Sequence, residues 1–461
     1  MHPQTLHACD AYPAGVPEST TSQGPLSTPS RPAHSYVVGH EVDVTIESVA
    51  HGGHCIARHE GMVIFVRHGL PGEHVSVRIT EVSPRYLRGD VVSIKQPHSA
   101  RVTPECPAYR PGGCGGCDFA HAELSYQRQL KLSVLQAALS HQGGLPPAEV
   151  DRLLTEGMTD LGLSHGWRSR MQYRTIQQGE AATIAMHIHR SDLLVDASGC
   201  MIAEPAGHAL AQRAAADVPG ISAVFMAVGD DGPVVDVLDA DDDPGDKHDA
   251  GDHGEHSEVR HHIRVDDRTI TFNTRVDGFW QVHPLLAQAL VDTVLDWGAP
   301  KAGERWWDLY SGVGPIGAAL ALHTGPTGRV DAVESSGIAA REARRVARSL
   351  APAAVMQVHR SDTRRWLGSR ADVGESGKPT VHGVVLDPPR SGAGRPVLER
   401  VAIAGPRIVL YVACDPIALG RDVATMTTLG YRLSRLRAWD AFPHTHHFET
   451  VAAFVPVDQI S

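Results

Sequence analysis

The chain has 461 residues, 42% of them hydrophobic and 21% charged, too many for one ordinary domain and composed like a globular protein. No apolar run of about 18 residues or more excludes a helical membrane span, and no basic stretch leads into an apolar core, so neither a membrane nor an export signal is expected and the cytoplasm is. The net charge of −11 speaks against a polyanionic partner, but residues 230–258 hold twelve Asp or Glu against one Lys and carry the whole imbalance. The remainder is neutral and free to carry basic patches.

Residues 1–35, rich in Pro, Ser, Thr and Gly, read as a disordered tail. Short runs rich in β-branched residues follow at Val42–Ile46, Met62–Val66, His74–Ile79 and Asp90–Ile94, punctuated by Gly52-Gly53, Gly61, Pro71-Gly72 and Gly89. That pattern predicts a small β-barrel over 36–97. Three of the seven cysteines crowd between Cys106 and Cys117, which without an export signal reads as a metal site rather than a disulfide framework. A helix is predicted at Ala122–His141. The rest of 98–275 mixes strands and irregular stretches as a central α+β domain, with Asp239–His256 an acidic, solvated insertion.

From 276 to 461 the pattern changes. A helix at His283–Trp297 precedes strand-like Arg305–Leu309, Arg329–Val333, Val381–Leu386 and Arg407–Val412, with helices at Ile316–His323 and Gly337–Leu350 between them. Alternation of this kind predicts an α/β domain with a parallel, Rossmann-like sheet. Asp308-Leu309-Tyr310-Ser311-Gly312-Val313-Gly314 leaves the first strand and opens a helix, where glycines let backbone N–H groups approach a ligand. Glu334 ends the next strand, suited to ribose hydroxyls; Asp362 and Asp387-Pro388-Pro389 end later segments. Gly312, Gly314 and Gly317 also satisfy the spacing of a dinucleotide dehydrogenase, which the downstream motifs do not serve.

Cys414, in Tyr411-Val412-Ala413-Cys414-Asp415-Pro416, follows an apolar strand at the same rim. Its turn presents the thiol, and a thiolate is a soft nucleophile suited to conjugate addition. Glu449, ending Phe442-Pro443-His444-Thr445-His446-His447-Phe448-Glu449, offers a base. The alternatives are a buried structural cysteine and a surface carboxylate.

With these motifs in order, the chain resembles the bacterial RNA 5-methyluridine methyltransferases, in the iron–sulfur branch that modifies 23S ribosomal RNA. The resemblance runs from about Val37 to Val457. It implies a class I methyltransferase domain, an N-terminal TRAM barrel that binds RNA, and a central iron–sulfur domain in a monomer. It implies S-adenosylmethionine contacts from Gln281, Tyr310, Glu334, Asp362 and Asp387, with Cys414 as nucleophile and Glu449 as base in methylation of uracil carbon 5. It also implies a 4Fe–4S cluster on Cys106, Cys114, Cys117 and Cys200, although four thiolates equally suit zinc. Cys55 is expected to be a small barrel residue, and Cys9 is left without a role. Arg168, Arg170 and Arg174 alternate as on a strand and are expected either to meet RNA phosphates or to form a solvated face. Transfer RNA remains an alternative substrate. A non-catalytic iron–sulfur RNA-binding protein is the rival from another class, opposed by the intact Cys414, Glu449 and Asp387.

Overall fold

The computed structural model describes residues 36–179, 181–239, 256–369 and 381–457. The tail expected at 1–35, and with it Cys9, lies outside them, as does nearly all of the insertion expected at 239–256. Strands β1 (Glu41–Val49), β2 (Cys55–His59), β3 (Met62–Arg67), β4 (His74–Val82) and β5 (Tyr86–Gln96) close into a barrel in the order β1-β2-β3-β5-β4. Alternate residues Val44 and Ile46, Ile64 and Val66, and Val75, Val77 and Ile79 point inward and are buried, the period of two that a strand with one dry face requires. The strand not anticipated, β2, contains Cys55, a buried core residue whose thiol donates to the Gly69 carbonyl at 3.2 Å.

Helices α1 (Leu124–His141) and α2 (Pro147–Leu153) and strand β6 (Met158–Asp160) come next. They are followed by β7 (Arg170–Gln178), β8 (Ala181–His187), β9 (Leu194–Asp196), α3 (Pro205–Asp217), β10 (Ile221–Gly229) and β11 (Gly232–Asp239). A five-stranded sheet ordered β11-β10-β7-β8-β9 results, with Ala211 and Ala215 of α3 packed on Tyr173, Val224 and Met226. A hairpin of β12 (Glu258–Val265) and β13 (Arg268–Arg275) closes this part.

The remaining elements are α4 (Leu286–Gly298), β14 (Arg305–Leu309), α5 (Pro315–Thr324), β15 (Arg329–Glu334), α6 (Gly337–Leu350), β16 (Met356–Arg360), α7 (Thr363–Gly368), β17 (Gly383–Leu386), α8 (Arg395–Ala404), β18 (Ile408–Ala413), α9 (Pro416–Thr428), β19 (Tyr431–Asp440) and β20 (Glu449–Pro456). They build an eight-stranded sheet ordered β16-β15-β14-β17-β18-β20-β19-β6. Strands β14 to β18 pair in parallel and β20 runs antiparallel between β18 and β19. Every residue of β17 and β18 is buried, as strands covered on both faces must be. Separate apolar cores lie on the two faces.

Residues 124–160, grouped by sequence with the central part, join this sheet instead. Leu135 and Leu139 of α1 and Val150 and Leu153 of α2 enter one of its cores, and β6 pairs with β19 at the edge. Arg170 also differs from expectation. Arg170 is buried, its guanidinium donating to the carbonyls of Arg275, Val276 and Gly278. Arg168 lines the cavity of the cysteines. The side-chain alternation was right, but the face it marks at residue 170 turns inward against β13 and the loop after it, because a buried guanidinium can satisfy several loop carbonyls at once.

Candidate active site

Strand order in the large sheet reverses between β14 and β17, and a crevice opens beyond the carboxyl ends of the strands on either side of such a point. Here it is a cleft of about 1390 Å³, and Gln281, Tyr310, Glu334, Asp362, Asp387, Cys414 and Glu449 all line it. Tyr310 follows β14 with φ +64, and Gly312 and Gly314 come next at +55 and +87, conformations that favour glycine and let the backbone turn under a ligand. At Gly314 a Cβ would come within 2.6 Å of the Met356 methyl. Glu334 Oε2 accepts from the Gly312 N–H at 2.9 Å, while its Oε1 accepts from the Ser336 N–H at 2.6 Å, so the carboxylate ties the glycine turn to the end of β15. Asp362 caps α7 by accepting from the Arg365 N–H at 2.9 Å, which accounts for it locally even as it faces the cleft.

At the other end Cys414 leaves β18 beside Glu449, the first residue of β20. Burial pushes the Cys414 thiol up to about 12, with the Glu449 carboxylate adding to the effect and the Arg390 guanidinium opposing it. Glu449 is buried, its Oε1 has no hydrogen-bond partner among the described residues, and burial followed by the nearby Asp387 charge raises it well above the carboxylate range. Asp387, half-buried, is raised by desolvation. Two carboxyls and one thiol therefore share a partly desolvated corner with the exposed Arg390 guanidinium at its edge, where proton affinities are tuned away from water values. Phe442, Thr445 and His447 line the same corner, with His447 Nε2 3.4 Å from Arg390 Nη2.

The four cysteines that the resemblance implied as cluster ligands lie near one another. Cys106, Cys114, Cys117 and Cys200 line one cavity of about 40 Å³ with Ala108, Tyr109, Met171, Met186, Ala197 and Ile202. Cys200 arrives from the turn between β9 and α3, and Cys114 is placed by a bridge to Ile188. Burial raises the Cys117 thiol well above its ordinary value, and the charges of Cys200, Cys114 and Cys106 push the same way. Among the described residues no three ligand-type side chains are drawn together as tightly as a single ion requires; the four thiols stand around the cavity wall.

Residues 37–92 match the TRAM domain family, and residues 375–454 match the tRNA (Uracil-5-)-methyltransferase family. An "Uncharacterized RNA methyltransferase" of Streptomyces avermitilis is 37% identical over 440 residues, covering 91% of this chain and 99% of the relative. The chain belongs to the family of these RNA methyltransferases. It is a methyltransferase acting on RNA. A "23S rRNA (uracil(1939)-C(5))-methyltransferase RlmD" of Shewanella is 27% identical to the methyltransferase, covering 92% of it and 98% of the relative. The fold is that of the Pyrococcus abyssi tRNA (uracil-54, C5)-methyltransferase solved with S-adenosyl-L-homocysteine, at a TM-score of 0.63 and 21% identity over 89% of this chain and 99% of that one.

Two groups at the methyltransferase's site escaped the sequence reading. Asp308 is buried beneath the glycine turn, where burial, and then the Asp387 and Glu334 charges, push it up to about 7 against a hydrogen bond from the Gly317 N–H. It stood inside a quoted motif and could have been singled out as an acid in an otherwise apolar strand. Asp118, described below, had no such local signal.

Proposed function

We propose that this enzyme methylates carbon 5 of a uridine in 23S ribosomal RNA through a covalent cysteine adduct. The observation carrying the reading is the convergence of Cys414, Glu449 and Asp387 on the wall of the cleft that Glu334 and the glycine turn also line. Carbon 5 of uracil is a poor nucleophile until its ring is activated. The Cys414 thiolate bonds to carbon 6, and the electrons of the carbon 5–carbon 6 double bond move toward the carbon-4 oxygen. S-adenosylmethionine supplies an electrophilic sulfonium methyl group, which carbon 5 takes as the methyl–sulfur bond breaks. Glu449 then removes the carbon-5 proton, the double bond reforms, and the carbon 6–sulfur bond breaks to return Cys414.

Gln281, Tyr310, Glu334, Asp362 and Asp387 are the groups we assign to holding S-adenosylmethionine. For the cysteine cavity we propose a 4Fe–4S cluster: four converging thiols with largely apolar walls and no histidine suit iron–sulfur ligation. A cluster also spreads its thiolates over a wider core than one zinc ion does. Its role there is to join Cys200 to the Cys106–Cys117 segment. The ribosomal substrate rests on the RlmD likeness, and transfer RNA is the second reading because the solved neighbour is named for it.

Glu449→Gln incubated with RNA and S-adenosylmethionine should methylate and then stall, since general-base removal is worth roughly 10²–10⁴-fold in rate. A slow-migrating protein–RNA band should appear on a denaturing gel and vanish when Cys414→Ala is added. Turnover by Cys414→Ala would end the covalent reading. Mapping 5-methyluridine in a deletion strain identifies the RNA, and loss of the mark from transfer RNA alone would overturn the ribosomal assignment.

A further inference from the structure

The loop that delivers Glu449, residues 441–448, is held from outside the large sheet. The Asp118 side chain accepts from the His446 backbone N–H at 2.9 Å and from His446 Nδ1 at 2.6 Å. In the same place the N–H groups of Asp118 and Phe119 both donate to the His444 carbonyl at 2.8 Å. Asp118 is only 9% exposed, and it directly follows Cys117 in the chain. Gln127, at the start of α1, reinforces the grip by accepting from the His444 N–H at 2.7 Å. The barrel closes over this junction. A Cβ on Gly53, which has φ +77, would lie 2.6 Å from the Asp118 Cβ, so the β1–β2 turn packs directly on that side chain. His51 of the same turn stands 3.2 Å from the carboxylate of Asp415, next to Cys414.

We propose that Asp118 is a positioning residue for the methylation reaction, anchoring His446 so that the loop aims His447 and Glu449 into the corner of Cys414. His446 and His447 rings lie 3.9 Å apart, and His447 faces Arg390 in the cleft, so displacement of His446 is passed directly to groups that line the site. The cysteine segment thereby supports the catalytic loop mechanically, through hydrogen bonds and packing. A misplacement of about 1 Å can cost roughly 10²-fold in rate, so this grip matters most where the geometry must be held through two steps. The inference rests on the reading of Glu449 as the base.

The test uses the full-length holoenzyme, with Asp118→Ala, Asp118→Asn, His446→Ala and the Asp118→Ala/His446→Ala double variant. Asp118→Ala is expected to lower kcat roughly tenfold to a hundredfold and to accumulate the protein–RNA band, with iron content, visible absorbance and the Kd for S-adenosylmethionine unchanged. Asp118→Asn keeps an oxygen for the His446 backbone N–H and should recover most of the rate. His446→Ala lies away from the cysteines and should reproduce the Asp118→Ala defect, and the double variant should be no slower than either single one. Wild-type turnover in Asp118→Ala and His446→Ala, additive defects, or failure of the Asn variant to recover would overturn the proposal. Loss of iron and of S-adenosylmethionine binding in step with kcat in both single variants would overturn it too, by showing a general structural defect. Glu449→Gln run beside them separates the two ideas. If it stalls with a band while Asp118→Ala turns over normally, the positioning role fails and the base stands; if it forms no band, the base assignment itself fails.

Discussion

At the scale of single residues the site is a set of acids kept from ionising. Asp387, Glu449 and Cys414 are all raised by burial, so each holds its proton to a higher pH than in water and its ionised fraction grows as pH rises. Because the proposed steps need a thiolate and a carboxylate base, single-turnover methylation should climb with pH across roughly pH 6 to 9. A rate that falls through that window would contradict it. Asp308 makes a stability prediction. Its folded value of about 7 against an ordinary 3.8 means the folded state holds the proton more tightly than the unfolded one. Stability from this group is therefore intact below about pH 4 and is lost as pH rises toward 7. Asp308→Asn removes the titration, so it should melt higher than wild type near pH 8, by no more than roughly 4 kcal/mol at about 1.4 kcal/mol per unit. The advantage should shrink toward pH 5; an unchanged difference across that range in thermal melts would count against the explanation.

Among elements, α1 is the connector. Its Lys131 is fully buried and donates to Asp440 Oδ1 at 2.5 Å and to the Phe442 carbonyl at 3.0 Å, so the helix grips the end of β19 where the catalytic loop begins. Removing one partner of such a pair leaves a charge buried without compensation and costs roughly 3–5 kcal/mol. Lys131→Met should accordingly lower the melting temperature sharply, and adding Asp440→Asn should recover much of the loss. Equal melting of Lys131→Met and wild type would show that the pair does not hold the helix.

Across the whole molecule, barrel, cysteine segment and large sheet meet at the 441–448 loop, and Cys200, between β9 and α3, lines the cavity of the cysteine segment. With a cluster in place, anaerobically purified protein should carry about four irons per chain and visible absorbance. Cys200→Ser should lose iron and become open to proteolysis between residues 98 and 205, while the barrel and the S-adenosylmethionine cleft persist. Stoichiometric zinc without colour would reject the cluster.

Much of this was legible in one dimension because it is written locally. Alternation of two marked the barrel strands. Apolar strands ending in Asp308 to Gly314, in Glu334, in Asp387 and in Cys414 marked the rim of a parallel sheet, where topology alone brings strand ends together. The order of motifs carried the family. Other features depend on contacts between distant segments, which no local pattern encodes. Sequence grouped α1, α2 and β6 with their neighbours in the chain, yet their apolar faces are buried by the large sheet. Arg170 read as a surface cation, yet loop carbonyls from residues 275 to 278 surround it. Asp118 is one acid beside a cysteine until His446, some three hundred residues later, is brought within 2.6 Å. The chemistry of the site was set by residue type at strand ends, whereas its support was decided only by the tertiary structure, because a side chain's partner across the fold is chosen by packing rather than by sequence distance.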